Sequence, residues 1–317
     1  MIITYLLQKI LIMKKVRILL VMCTILLMSE SNAQQQVQFT QYMYNTMMVN
    51  PAYAGTGSQL EALFIHRSQW VGLAGAPQTQ NVGVHGAAGK IMGVGLNFTN
   101  DRIGPANQSF LTASLAARIK LSEKIKLSVG LNGGMDFVNV DWSKGQAQSE
   151  NDAAMMNNIR NRVRPVFGAG VYLYADNWYF GVSSPTFIQR DRYGDGDEAS
   201  INNTVHWYAI AGYVFNIGDN VKLKPAVMTK IVKGAPITAD VSLNTLIKEQ
   251  FTVGLGYRYH DAMSILLGYT LKRMLFIGYS YDINLTKLRG YNSGSHDIIL
   301  KYNLVKKDVA ARSPRFF

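Results

Sequence analysis

Five histidines, His66, His85, His206, His260 and His296, are the side chains of this 317-residue chain best suited to proton transfer or metal binding, and they are scattered over separate stretches. A zinc or copper site built from local sequence needs ligands a few residues apart, and no such pair exists here. Each histidine therefore reads as an interior or interfacial side chain. Gly93-Val94-Gly95 and Gly254-Leu255-Gly256 resemble fragments of a phosphate-binding loop, but that chemistry requires a strand, a glycine-rich turn and a following helix. Both fragments lie inside alternating segments with no helix after them. Their glycines read instead as wall positions that leave room for a neighbouring side chain. The run Asp191-Arg192-Tyr193-Gly194-Asp195-Gly196-Asp197-Glu198 departs from the register of a helix-flanked calcium loop, so a solvated acidic turn is expected. The sequence implies no cofactor and no metal. The missing Ser/His/Asp or carboxylate cluster argues against an enzyme, although residues distant in sequence can converge.

A second group of charges has a pattern. Lys222, Lys224 and Lys230 share one parity of a single strand-like segment, and Arg118, Lys120, Lys126 and Arg258 share the corresponding parity elsewhere. Asp136, Asp240 and Asp282 are available to pair with them. Two arrangements fit: an anion-preferring pore, or a mesh of salt bridges that closes an interior. Buried charges need partners, which favours the mesh.

The elements that position these residues are strands. From about residue 58 to residue 304, apolar residues alternate with small or polar ones. Leu111, Ala113, Leu115, Ala117 and Ile119 take one parity, and Thr112, Ser114, Ala116, Arg118 and Lys120 the other. A period of two describes strands with two unlike faces. The polar face is rich in Gly, Ser, Thr and charge, while the other is continuously apolar. Trp70, Trp142, Trp178 and Trp207 stand at strand ends, as interfacial girdles require. Candidate strands fall at 58–69, 78–86, 90–100, 107–121, 124–139, 164–175, 177–184, 203–217, 220–231, 237–247, 250–260, 262–271, 273–284 and 294–304. Fourteen is an even count, as single-chain bacterial barrels show. The links alternate between tight turns, such as Ser122-Glu123 and Lys272-Arg273, and longer ones at 70–77, 101–106, 140–163, 185–202, 232–236 and 285–293. His260-Asp261 is short where a long link is due. A short helix is expected within 140–163. The pattern predicts an all-β, antiparallel transmembrane β-barrel of 14 strands with short periplasmic turns and longer extracellular loops, both chain ends facing the periplasm.

The first segment sets the compartment. Lys14, Lys15 and Arg17 precede the apolar run Ile18 to Met28, then Ser31-Asn32-Ala33 offers small residues to a signal peptidase. Residues 1–33 are thus expected to be a signal peptide, with Met13 the better initiator and Gln34 the first mature residue. The sole cysteine, Cys23, lies within that run, so the mature chain would be exported without disulfides. Removing the segment, which holds four basic residues and Glu30, lowers the net charge from +12 to +9. Export makes nucleic acid an unsuitable partner despite this basic balance. Outer-membrane lipid is the expected surrounding. Residues 305–317, with Lys306, Lys307, Arg312 and Arg315, form a basic tail.

Between the signal and the first strand, residues 34–57 are aromatic, amide-rich and poorly alternating, and read as a segment packed in the periplasmic mouth of the barrel, a possible plug. They contain Gln38-Phe39-Thr40-Gln41-Tyr42-Met43-Tyr44-Asn45 and Asn50-Pro51-Ala52-Tyr53-Ala54-Gly55. Downstream come Arg67-Ser68-Gln69-Trp70-Val71-Gly72, Gly75-Ala76-Pro77-Gln78-Thr79-Gln80 and Val84-His85. This ordered set resembles the PorP/SprF family of the type IX secretion and gliding machinery, over about residues 38–85. Thr46 stands where the family often has Pro, as does Ala87.

The resemblance implies a non-enzymatic outer-membrane barrel that binds, anchors or helps export a type IX-secreted surface protein, such as a large gliding adhesin. Its partners would be the C-terminal sorting domain of that adhesin and periplasmic components of the machinery. On such a barrel the rims would do the binding. Arg67, Gln69 and Trp70 end the first strand at the outer rim, with Trp and Arg suited to an interface. Gln41, Tyr42, Asn45, Asn50 and Pro51 would face the periplasm. Rim packing is the competing role for the first set and a structural plug for the second. An outer-membrane diffusion channel or small-molecule transporter is the alternative function.

Overall fold

A computed structural model describes residues 39, 42–57, 60–144, 158–187, 205–232 and 235–304. The expected signal peptide, the tail 305–317, Gln41, the acidic run 191–198 and Met155-Met156 lie outside them.

The strands are β1 (Glu61–Ser68), β2 (Gln78–Ala88), β3 (Met92–Ile103), β4 (Ala106–Lys120), β5 (Lys126–Val140), β6 (Ile159–Tyr174), β7 (Trp178–Ser184) and β8 (His206–Tyr213). They continue with β9 (Phe215–Ile217), β10 (Val221–Val232), β11 (Thr238–Ile247), β12 (Phe251–Arg258), β13 (Ala262–Leu271), β14 (Leu275–Asn284) and β15 (Ser295–Asn303). β8 and β9 are two parts of one strand interrupted at Val214, so the wall has fourteen strands, as expected. Every neighbour pair is antiparallel, and β1 pairs with β15 (Ile65 opposite Ile299), closing the cylinder. Among the described residues each of the fourteen strands has a hydrogen-bonded neighbour on both sides, the condition for strands to stand in hydrocarbon. Among the described residues no helix is long and apolar enough to cross a membrane; strands do the crossing.

The alternation is the cause of this geometry. In β3, Met92, Val94, Leu96 and Phe98 face outward and are exposed, Leu96 by 60%, while Gly93, Gly95, Asn97 and Thr99 face inward and are buried. A water-soluble sheet would reverse that assignment. A one-residue slip would turn every leucine into the lumen, so the burial difference also fixes the register.

Six tight turns gather at one end. Two use non-glycine pairs with positive φ, Lys248-Glu249 and Lys272-Arg273, the backbone twist a two-residue hairpin needs. The opposite end carries the longer links, and three boundaries depart from expectation, two at that end and one at the tight-turn end. Residues 101–106 are mostly strand, reduced to a two-residue turn at Gly104-Pro105, with Gly104 at φ 53°. β2 continues through Ala88, moving its turn to Gly89, at φ 77°. β6 starts at Ile159 because a bulge between Val138 and Val140, with Asn161 at φ 49°, absorbs an irregular stretch and restores pairing. Within 140–163 the described residues show a 3-10 turn, Trp142–Lys144.

Candidate functional site

The inside of the wall is organised around the N-terminal segment. Residues 42–57 comprise a helical turn, α1 (Thr46–Val49), and a 3-10 turn, Pro51–Tyr53, both within the barrel. Asn50 accepts from the Ala52 amide at 3.0 Å through Oδ1, and Pro51 starts the 3-10 turn where a missing N–H costs nothing. Phe39, Tyr42, Tyr44, Met47, Ala52, Tyr53 and Ala54 are buried and form the hydrophobic core with inward residues of the wall.

This segment reaches both sides of the lumen. On one side the wall presents a row of small residues in register: Gly93 of β3, Ala116 of β4, Gly130 of β5, Gly170 of β6 and Ser183 of β7. A Cβ on Gly93 would overlap the Ala54 carbonyl oxygen, one on Gly130 the Ala52 backbone, and one on Gly170 the Asn50 amide. The row is a trough into which residues 50–55 are pressed. Asn50 Nδ2 donates to the Val171 carbonyl at 3.1 Å, and Ser183 Oγ donates to the Val49 carbonyl at 2.7 Å. Arg118 closes the trough by donating through Nη1 to the Gly55 carbonyl at 2.6 Å and through Nη2 to those of Gly89 and Met92 at 2.9 Å. Tyr53 packs edge-on against His85 and Tyr172, with centroids 5.3 and 5.5 Å away. On the other side, Tyr44 stacks on Phe276 of β14 at 4.8 Å and lies beneath Lys224 of β10, whose Nζ is 5.7 Å from the ring centroid. β6 and β14 are seven strands apart in either direction around the wall. The segment thus bridges opposite walls, while Asn45 donates to Asn81 Oδ1 of β2 at 3.0 Å.

The interior charges form a mesh. Arg67 Nη1 donates to Asp297 at 2.6 Å and Nη2 to Asp282 at 2.9 Å, with all three side chains at most 2% exposed. Arg258 bridges Asp240 at 2.7 Å and Asp261 at 3.2 Å. Toward the turn end, Glu61 meets Lys301 at 3.0 Å and His85 at 3.3 Å. Lys120 is exposed and pairs with Glu123, and Lys126 is exposed too, so the alternating parity carries these two beyond the lumen. Outside the spanning strands, burial pushes the hydroxyls of Tyr42 and Tyr44 well above the ordinary tyrosine range. Among the described residues, no group of three His, Cys, Asp or Glu side chains could hold a metal ion.

The expected site residues separate into two groups. Tyr42, Asn45, Asn50 and Pro51 come together inside the lumen. Arg67 points inward into its carboxylate pair and offers nothing to the rim surface; the one-residue step from Arg67 to Ser68 turns the next side chain to the other face. Gln69 and Trp70 remain at the rim, half-buried, in a loop knit to its neighbours. The Gln69 amide donates to the Pro77 carbonyl at 2.9 Å and the Val71 amide to that of Gly294 at 2.9 Å. The Gly104 amide donates to the Gly75 carbonyl, also at 2.9 Å. Beside this loop lies a groove of about 410 Å³ lined by Gln69, Val71, Leu73, Pro77 and Arg102. Sequence reasoning missed the trough and the clasp by Arg118. The signal for the trough was inward glycines on successive strands, readable only once the strands are aligned.

A closed wall with an apolar exterior, a polar and charged interior and aromatic strand ends defines an outer-membrane β-barrel. The sequence profile of the family described as type IX secretion system membrane protein PorP/SprF matches residues 31–302, and the chain belongs to that family. Among solved structures, the CymD monoaromatic hydrocarbon channel superposes with a TM-score of 0.51 at 13% identity, covering 83% of this chain and 93% of that one. The toluene transporter TbuX of Ralstonia pickettii gives 0.49 at 9% identity, covering 82% and 93%. The outer membrane protein Omp33 of Acinetobacter baumannii gives 0.45 at 10% identity, covering 79% and 100%. At these identities the fold is what is shared. No curated protein sequence matches the chain.

Proposed function

We propose that this outer-membrane barrel is a sealed mount of the type IX secretion machinery. It holds, or helps export, a secreted surface protein such as a large gliding adhesin through that protein's C-terminal sorting domain. In this reading the loop end, with Gln69 and Trp70 beside the groove, faces outward and receives the cargo. The turn end and both termini face the periplasm and the machinery. Family membership supports the secretion role. The observation that carries the sealed mount over a diffusion channel is the N-terminal segment bridging opposite walls of the lumen. A channel needs a continuous polar path, and buried aromatics on a bed of small residues interrupt it.

Two measurements test the proposal. Deletion of the protein followed by surface labelling of a type IX adhesin should show the adhesin lost from the surface; normal display would sink the export role. In planar bilayers the full-length barrel should be electrically silent and a chain lacking residues 34–57 should conduct. Stable conductance by the full-length protein would favour the channel named for its structural relatives.

A further inference from the structure

The outward face of β3 to β6 changes chemistry in steps toward the loop end. Phe98, Leu111, Met135 and Pro165 form one cross-strand row in register, apolar throughout. Two residues further along lies Asn100, Ser109, Phe137 and Val163, half polar. Two further again are Arg102, Asn107 and Asn139. Strands rise about 3.3 Å per residue, so the last row stands roughly 13 Å along the strand from the first. A tilt of about 40° reduces that to roughly 10 Å along the membrane normal. The step from hydrocarbon to headgroup has that scale.

The last row is completed by the bulge. There Asn161 donates its amide to Asn139 Oδ1 at 2.8 Å, and Arg160 lines the same groove as Arg102, Asn107 and Asn139, a space of about 270 Å³. Neither arginine makes an ion pair among the described residues, and both are exposed. Asp141 also lines the groove, with its carboxylate accepting from Ser143 Oγ at 2.6 Å and Asn158 Nδ2 at 3.4 Å. Two guanidinium forks and amide donors, placed just above a lipid-facing apolar row, match a phosphate held at headgroup depth. We propose that this groove seats the phosphate of a glycolipid headgroup in the outer leaflet. Its occupant would extend its acyl chains along the Phe98 and Leu111 row. The site shares Arg102 with the groove beside Gln69, and from the cargo-binding reading it takes the orientation of the loop end.

The test uses the purified full-length chain in mild detergent, where orientation and cargo have no bearing. Native mass spectrometry would follow titration with bis-phosphorylated lipid A, its dephosphorylated counterpart and inorganic phosphate. Lipid A should remain bound to the wild type, and the R102Q/R160Q variant should hold at least tenfold less. R102K/R160K should fall between, because lysine keeps charge without the fork. Arg273→Gln, at the turn end, should bind as wild type. Equal retention by R102Q/R160Q, equal binding of dephosphorylated lipid, an equal loss in Arg273→Gln, or displacement by millimolar inorganic phosphate would overturn the proposal. Heat-modifiable gel migration checks folding; should the double variant fail it, the single Arg102→Gln and Arg160→Gln variants are judged by the same criteria.

Discussion

Asn50 and Val171 join the N-terminal segment to the wall through one hydrogen bond, Nδ2 to carbonyl oxygen, at 3.1 Å. The same side chain accepts from the Ala52 amide, so a single completely buried amide both shapes the segment and fastens it. Replacing Asn50 with Ala removes both and leaves the Ala52 N–H without its acceptor, which costs about 1–3 kcal/mol. Asn50→Asp keeps the acceptor but loses the donor and brings a negative charge against the Val171 carbonyl. Both variants should melt earlier than wild type by heat-modifiable migration in detergent micelles. An unchanged midpoint in Asn50→Asp would show that the Val171 bond carries no weight.

The trough predicts which glycines tolerate a methyl group. At Gly93 and Gly130 a Cβ meets the backbone of Ala54 and Ala52, and backbone cannot swing away. Gly93→Ala and Gly130→Ala should each cost about 1–3 kcal/mol, the usual range for overpacking. They should also expose the N-terminal segment to added protease. Gly133, whose Cβ would find Phe167 at 3.8 Å, has room, and Gly133→Ala should leave both measurements unchanged.

The wall was legible because lipid on one side and a polar interior on the other impose a period of two, and that period survives in β3 or β12 without knowledge of any partner strand. Boundaries shifted where backbone conformation decided them, as at Gly104 and Asn161. The N-terminal segment was legible as a non-strand piece of the barrel mouth, since Pro51 and the aromatics fit no alternating strand. Its seat was not legible. Gly93, Gly130 and Gly170 become one surface only through pairing between strands some forty residues apart. Arg67 misled for the opposite reason: its residue type suits a rim interface, and only closure of β1 onto β15 brings Asp297 beside it.

That triad makes a stability prediction. Arg67→Ala removes the guanidinium that bridges buried Asp282 and Asp297, a loss of about 3–5 kcal/mol when one partner of a buried pair is removed. Substituting all three, Arg67→Met with Asp282→Asn and Asp297→Asn, removes the charges together and should cost less than the single change. Chemical unfolding of the micelle-bound barrel measures both. A triple variant no more stable than Arg67→Ala would mean that shape, rather than charge pairing, holds β1, β14 and β15 together.

At the rim, the expected interface residues now reduce to Gln69 and Trp70. Trp70 adopts φ 48°, and its amide donates to Ser295 Oγ at 3.2 Å, so the backbone is held while the side chain stays partly available. Trp70→Phe should therefore preserve the loop, whereas Trp70→Ala should weaken capture of a type IX sorting domain by roughly 10- to 100-fold, the scale of an aromatic anchor worth about 1–3 kcal/mol. Pull-down of an adhesin C-terminal fragment by the purified barrel reads this directly. Equal capture by Trp70→Ala would move the cargo site away from this loop.

Alkaline pH should destabilise the folded barrel through two tyrosines of the N-terminal segment. Burial raises the hydroxyl pKa of Tyr42 and of Tyr44 in the folded protein, while an unfolded tyrosine ionises near pH 10. Above that pH the unfolded state releases protons that the folded state keeps, so the folded state binds more protons and stability falls as pH rises. Each residue contributes a slope of about 1.4 kcal/mol per pH unit until its own folded pKa is reached. Between pH 10 and pH 12 the unfolding midpoint of the wild type should drop more steeply than that of the Tyr42→Phe/Tyr44→Phe variant, which buries the same rings without an ionisable hydroxyl. Parallel slopes for the two proteins would show that these hydroxyls are hydrated in the folded barrel and that the segment is less firmly enclosed than its packing against Phe276 and Lys224 implies.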